Sequence, residues 1–411
     1  MPSPAPPAPV PARDRWILYA SAFLRALATG MIGVLVGIYL ARMGFDPAGI
    51  GAVVTAGLSG AAVAALVVTT RGDRFGRKRT LLFLAALGAV GGGLVAIASR
   101  PLVIGAAAFF GMLNGMGRDR GASMILDQAI LPATAPPERR TAVFAWYNVL
   151  QDAGHALGAL AAGLPALLRA GSMPEETSLR AAVGAYALLL ALTALLYARL
   201  GREVEAEPEA ARARLSPATR KVVARISALF ALDGLGGGFL TSALLSYFFY
   251  ARFGIREQGI GALFFAARLL NAASHVGAAW LARRIGLVNT MVFTHIPSSI
   301  LLLTVPFAPT FPIAAALFLL REGLVEMDVP TRQSYVMAVV KPEERTPASG
   351  VTHLVRLGAW AVAPAFAGLF MRGGSLGAPL MIGAGMKILY DILLYRAFRH
   401  VRPPEEERAP G

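Results

Sequence analysis

An all-α integral membrane protein is the fold class this chain predicts, and three observations carry the prediction. Over 411 residues, 56% are hydrophobic, only 15% are charged and 44 are Gly, which lies outside the range of ordinary soluble domains. Apolar runs of about 20 residues, the length that crosses about 30 Å of hydrocarbon, recur from end to end. The stretches between them concentrate cations, as in RGDRFGRKRT at residues 71–80.

Taken in order, the apolar runs predict twelve transmembrane helices, near residues 16–42, 48–70, 80–99, 102–131, 141–168, 179–199, 223–251, 257–282, 287–308, 312–340, 347–371 and 376–398. Spans 4, 5 and 10 carry charges inside the apolar run. An even number of spans puts both termini on one side, and Lys and Arg crowd the connections on the side of RGDRFGRKRT. Cytoplasmic loops hold the cationic excess, so both termini are expected in the cytoplasm, with the bundle in the plasma (cytoplasmic) membrane. Much of the net charge of +15 is then topological and calls for no nucleic-acid partner.

Residues 1–15, MPSPAPPAPVPARDR, lack the apolar core of a signal peptide and read as a disordered Pro-rich cytoplasmic tail. A six-helix half is expected over 16–199, a charged cytoplasmic linker over 200–222, a second six-helix half over 223–399 and a short cytoplasmic tail over 400–411. The absence of Cys excludes disulfides, thiolate metal sites and a Cys nucleophile, and the five His show no metal-ligand spacing. No cofactor or metal is expected. Neither a phosphate-binding loop nor a nucleophile motif is present, so the chain does not read as an enzyme.

The halves resemble one another. YLARMGFDPAGIGA at 39–52 aligns with FYARFGIREQGIGA at 249–262 with seven identities, an offset of 210 residues. That offset carries Arg74 onto Arg284, Gly76 onto Gly286 and Thr80 onto Thr290. PPERRTA from Pro136 matches KPEERTP from Lys341 at an offset of 205. Six spans are repeated in the same orientation.

Parallel six-helix halves, joined by a charged linker and carrying Asp-Arg-x-Gly-Arg between spans 2 and 3, resemble the major facilitator superfamily of secondary transporters. The resemblance covers about residues 15–400, and Asp73, Arg74, Gly76, Arg77 and Lys78 match the family's loop motif. Thr69 stands where the motif opens with Gly, Arg71 where Leu is usual, and the second-half copy has Arg283 in place of Asp. Gly76 suits the tight turn, and Asp73 suits the positive end of a neighbouring helix. The resemblance implies that this helix is span 11, which starts at Thr346-Pro347, and that Arg77 pairs with Asp127. Asp127 and Arg332 occupy matched positions 205 residues apart. Asp73, Arg74, Gly76, Arg77, Asp127 and Arg332 are therefore the expected cytoplasmic gate.

Ionisable groups inside a bilayer are costly and by default mark a polar pathway. At 100° per residue, Asn148, Gln151, Asp152 and His155 share a stripe of span 5, and Arg268, Asn271 and His275 share one of span 8. Arg120 and Asp127 fall together on span 4, away from Asn114 and Arg118. Arg118, Asp119, Arg120, Asp152, His155, Arg268, Glu326 and Asp328 fall near mid-bilayer, where such transporters bind solute. Arg25, Asp233, Glu322 and Arg356 complete the expected set for substrate binding or proton coupling. Glu322 and Glu326, one turn apart, are the preferred proton site, because like charges at i and i+4 favour holding a proton.

The expected function is secondary active transport of a small solute by alternating access, coupled to H+ and of the drug or metabolite exporter type. The alternative is a proton symporter or exchanger for a small organic or phosphorylated anion, clamped by the intramembrane arginines. A non-transporting membrane receptor is the remote third reading. The expected partners are the lipid bilayer, a small-molecule substrate and H+, with the chain acting as a monomer.

Overall fold

The computed structural model describes residues 10–136, 139–205, 216–327 and 344–398. Among them the secondary structure is helical and no strand occurs. The helices are α1 Ala12–Arg42, α2 Pro47–Phe75, α3 Arg77–Ile97, α4 Pro101–Phe110, α5 Ala122–Ile130, α6 Arg140–Ala161, α7 Leu164–Ala170 and α8 Glu175–Ala198 in the first half. The second half holds α9 Pro217–Gly238, α10 Ser242–Phe253, α11 Glu257–Ile285, α12 Leu287–Thr304, α13 Phe311–Val325, α14 Arg345–Arg372 and α15 Ala378–Phe398.

Local chemistry explains several of the boundaries. Asp46 caps α2 by accepting from the Gly49 amide, with Pro47 in the first turn. Ser216 and Thr241 cap α9 and α10 in the same way. The internal repeat is visible in the backbone: Gly44 and Gly254 both have positive φ, as do Gly76 and Gly286, a conformation that glycine adopts without steric cost.

Among the described residues, eight segments are long and apolar enough to cross a membrane: α1, α2, α3, α8, α9 with α10, α12, α14 and α15. Of the other expected spans, 5 and 8 carry polar and charged residues inside the apolar run, 4 is broken, and 10 runs on outside the described residues. Span 4 was expected to be continuous and is not. It breaks into α4 and α5 around residues 111–121, GMLNGMGRDRG, where Met112 (φ 52°) and Gly117 (φ 71°) turn the chain out of helical geometry. Span 7 also breaks, at residues 239–241 after three consecutive glycines, and span 5 breaks before Pro165. In each case Gly and Pro remove the local preference for helix.

Most packing stays within a half: α1 on α6 and α8, α3 on α8, α9 on α14 and α15, α12 on α13 and α15. The main contacts across the halves are α2 with α14, α6 with α11 and α1 with α10. Two of these interfaces are related by the repeat. A Cβ on Gly51 would strike the Pro364 carbonyl, and one on the matched Gly261 would strike that of Ala159. Small residues here let backbones approach where lipid supplies no hydrophobic drive. Gly37 likewise lies against the Ala243 carbonyl. These close approaches lie toward the helix ends remote from the chain termini, so the halves meet most tightly on that far side. There Arg169 forms an ion pair with buried Glu257, and Arg372 bonds Asp46 at 3.2 Å.

Candidate functional site

Unwound backbone inside a membrane must find partners, because hydrocarbon offers none. Residues 111–121 find many of theirs in the other half. The Gly115 carbonyl accepts from the Ala243 amide at 3.0 Å, the Met116 carbonyl from the Ser242 hydroxyl at 2.9 Å, and the Gly117 carbonyl from Arg268 at 3.2 Å. Within the first half, the Asn114 amide group donates to the Arg118 carbonyl (2.8 Å) and accepts from the Met116 amide (3.0 Å). His155 Nε2 accepts from the Asp119 amide at 2.7 Å. The two broken spans thus meet at the centre of the molecule.

Beside them lies a cavity of about 130 Å³, room for several waters or a small solute. Its polar wall is Asn114, Arg118, Arg120, Ser242, Arg268, Arg321, Glu322, Glu326, Arg356 and Lys387, and Trp360, Phe264 and Phe318 supply its aromatic faces. Arg118 bonds Asn271 at 2.6 Å and Glu326 at 3.0 Å. Arg120 lies 4.0 Å from Glu326 and stacks on Trp360, which Arg356 also covers. Glu322 is held by Arg321 and by Asn271 at 2.9 Å. The two glutamates expected to share a proton are thus each engaged by separate cations. Arg268 differs from the other cations, since its partners among the described residues are neutral: the Gly117 carbonyl and the Ser242 hydroxyl at 3.5 Å.

Behind Arg356 and Lys387 sits Asp233, 1% exposed, at 2.8 Å from one and 2.9 Å from the other. Among the described residues, six cations line the cavity against two carboxylates. Counting Asp233 as a third still leaves an excess of three positive charges.

Several expected cavity residues lie elsewhere. Arg25 is buried inside the first half, bonded to Asp119 at 2.9 Å and Asp127 at 2.8 Å, with the Tyr197 hydroxyl against it. Tyr147 donates to Asp127 at 3.0 Å, and Gln151 reaches Asp119 at 3.5 Å. This closed cluster faces away from the cavity, so Arg25, Asp119 and His155 hold the fold of the break. The sequence expectation failed here because it treated span 4 as one helix. The break sends Arg118 and Arg120 to the cavity, Asp119 to Arg25 and Asp127 inward, so Arg120 and Asp127 do not share a face. Asp152 is exposed on α6. Asp328 and Arg332 lie outside the described residues.

Comparison with known proteins agrees with this architecture. The family model described as Major Facilitator Superfamily matches residues 18–364. The chain belongs to that superfamily. A yeast relative, "Uncharacterized membrane protein YJR124C" of Saccharomyces cerevisiae, is 24% identical over 93% of each chain. Among solved structures, a mutant of the nucleoside transporter NupG is similar with a TM-score of 0.75 at 15% identity, over 94% of this chain and all of that one. A bacterial homologue of the human lysosomal transporter Spinster, inward-facing and occupied, matches with a TM-score of 0.73 at 13% identity, over 97% and 98% of the two chains.

The superfamily loop motif is anchored to the start of the linker and to the first half. Gly76, at φ 88°, ends α2 and begins α3. The Glu205 carboxylate accepts from the Arg77 amide, and Lys78 donates to the Leu200 carbonyl. The Arg77 guanidinium reaches the Ala129 carbonyl at 3.4 Å, whereas Asp127, its expected partner, is fully buried on Arg25. Arg74 is exposed in the last turn of α2.

Sequence reasoning left out Arg321 and Lys387 as site residues, and gave no role to His295 or Asp391. The spacing of Lys387 and Asp391, one helical turn apart in an otherwise apolar span, was the available signal. His295 had none, because its partners come from a different helix.

Proposed function

We propose that this superfamily member is a secondary transporter of a small anionic solute, bound in the central cavity between the halves and moved by alternating access. The observation that carries the reading is the cation excess of the cavity, with Arg268 held only by neutral groups. A guanidinium in a low-dielectric site with no carboxylate bonded to it is stabilised by an incoming anion, to which it can offer paired donors. A cationic solute would meet repulsion in the same cavity. Drug-like export is therefore the weaker of the two expected readings, and an organic acid or phosphorylated anion is the favoured class. Trp360, between Arg120 and Arg356, supplies a flat face for the apolar part of such a solute.

The Lys and Arg distribution supports termini in the cytoplasm, and on that reading the far-side contacts lie at the external face. Alternation would then part Arg169 from Glu257 as the external side opens.

The test is a thermal-shift screen of the purified full chain in detergent against carboxylates, phosphate esters, sugars and cationic drugs, because a bound solute stabilises the folded state by mass action. Stabilisation by anions, lost in Arg268→Ala, is the expected outcome. Stabilisation by apolar cations with no response to anions would defeat the reading.

A further inference from the structure

Behind the cavity a chain of polar groups continues into the second half, and anion binding alone does not account for it. Lys387 of α15 bonds Asp233 of α9 at 2.9 Å and approaches Nε2 of His295, on α12, at 3.5 Å. On its other side, His295 Nδ1 lies 2.9 and 3.0 Å from the two carboxylate oxygens of Asp391, one turn beyond Lys387. Lys387 is 7% exposed and lines the cavity, while His295 and Asp391 are 1% and 0% exposed. Burying these groups carries a desolvation cost of several kcal/mol per ion.

The chemistry fixes the orientation of the ring. An ionised carboxylate only accepts, so Nδ1 carries the hydrogen bonded to Asp391, and Nε2 turns its lone pair toward the Lys387 ammonium. The Lys387 ammonium can pass one of its own protons to Nε2. One N–H bond breaks at the lysine as another forms on the ring, leaving a neutral amine and an imidazolium braced by Asp391. The amine then takes up the next proton from cavity water.

Charge balance gives this proton a function. With the imidazole neutral, Asp233 and Asp391 stand, among the described residues, against Lys387 and Arg356. One further proton adds a positive charge to this group. An anion drawn to the same Lys387 and Arg356 offsets that charge, so proton and anion favour each other's binding by the same factor. Tyr390 lies edge-on to the ring at 6.3 Å. Among the described residues, α11 and α13, which also pack on α12, bring no charged group within ion-pair distance of His295.

We propose that Lys387, His295 and Asp391 form a proton-binding relay that opens on the cavity and couples proton uptake to anion uptake. The coupling rests on the anion reading above; the proton site does not. Two experiments separate them. In full-length protein labelled with ¹³C in its five His rings, the signal lost in His295→Gln should show the gain of one proton as the sample is taken from alkaline to acid pH, and Asp391→Asn should displace that transition. If His295→Gln does not fold, the signal displaced by Asp391→Asn identifies the ring. A His295 signal fixed across the range overturns the relay.

In proteoliposomes, uptake of inorganic phosphate and of succinate is then measured with and without an acid-outside gradient. The wild type should accumulate solute, and His295→Gln should fall to the level without a gradient while retaining solute counterflow. Gradient-driven accumulation by that variant overturns the coupling. A wild type that takes up neither anion counts against the anion reading, and the His295 titration still decides the proton site.

Discussion

Two arginines, 25 and 268, show how identical side chains inside one bilayer acquire opposite roles. Arg25 is 4% exposed and saturated by two carboxylates and two tyrosines. Removing it strands Asp119 and Asp127 as buried charges, and such a loss costs about 3–5 kcal/mol. Arg25→Ala should therefore lower the thermal stability of the detergent-solubilised protein sharply, with Arg25→Lys intermediate because an ammonium cannot reproduce the forked contacts. Arg268 bonds only a carbonyl and a hydroxyl, so Arg268→Ala should weaken anion binding by about 10- to 100-fold, the worth of a charge-assisted hydrogen bond. Its melting temperature without solute should fall much less than that of Arg25→Ala, because the Gly117 carbonyl loses a donor but no buried carboxylate is stranded. A loss of stability as large as that of Arg25→Ala would place Arg268 among the structural cations instead. Both residues stood out in the sequence as intramembrane charges, but their division of labour did not. Which cation meets a carboxylate depends on where the chain turns at Gly117.

The helix break between α4 and α5 is the element on which this division depends. A Cβ on Gly57 of α2 would collide with the Leu113 carbonyl, and one on Gly60 with that of Phe109. Backbone cannot move aside as a flexible side chain can, so Gly57→Ala should cost about 1–3 kcal/mol through overpacking. Gly105→Ala, with no heavy atom near the added carbon, should cost nothing measurable in the same melting experiment. Equal stability of the two variants would argue against a tightly packed break. The long helices were legible in the sequence because an apolar run of spanning length has few other readings. The breaks in spans 4, 5 and 7 were missed, although GMLNGMGRDRG and GLGGGFLT contain the glycines responsible. Hydropathy averages over a window and does not register a turn that other helices satisfy. The repeat was read correctly from YLARMGFDPAGIGA and its partner because Gly51 and Gly261 meet the same packing demand in each half.

At the scale of the molecule, the halves are joined on one side by glycine-mediated approaches and by the Arg169–Glu257 pair. If alternation parts them, holding them together should stop transport. The chain has no Cys, so Arg169→Cys with Glu257→Cys can be bridged by a short reducible bifunctional thiol reagent without background. The expected outcome is loss of solute uptake on bridging and recovery on reduction. Undiminished uptake by the bridged protein would mean that the halves do not separate there. A different consequence follows from the bond between the Ala243 amide and the Gly115 carbonyl. Ala243 lies in the first turn of α10, where an amide has no intrahelical acceptor, so its hydrogen is shielded only while the opposite half is in place. In heavy water this amide is a clock: its deuterium uptake counts how often the halves come apart, and a bound solute that arrests the cycle would slow it, even before anyone knows what the solute is.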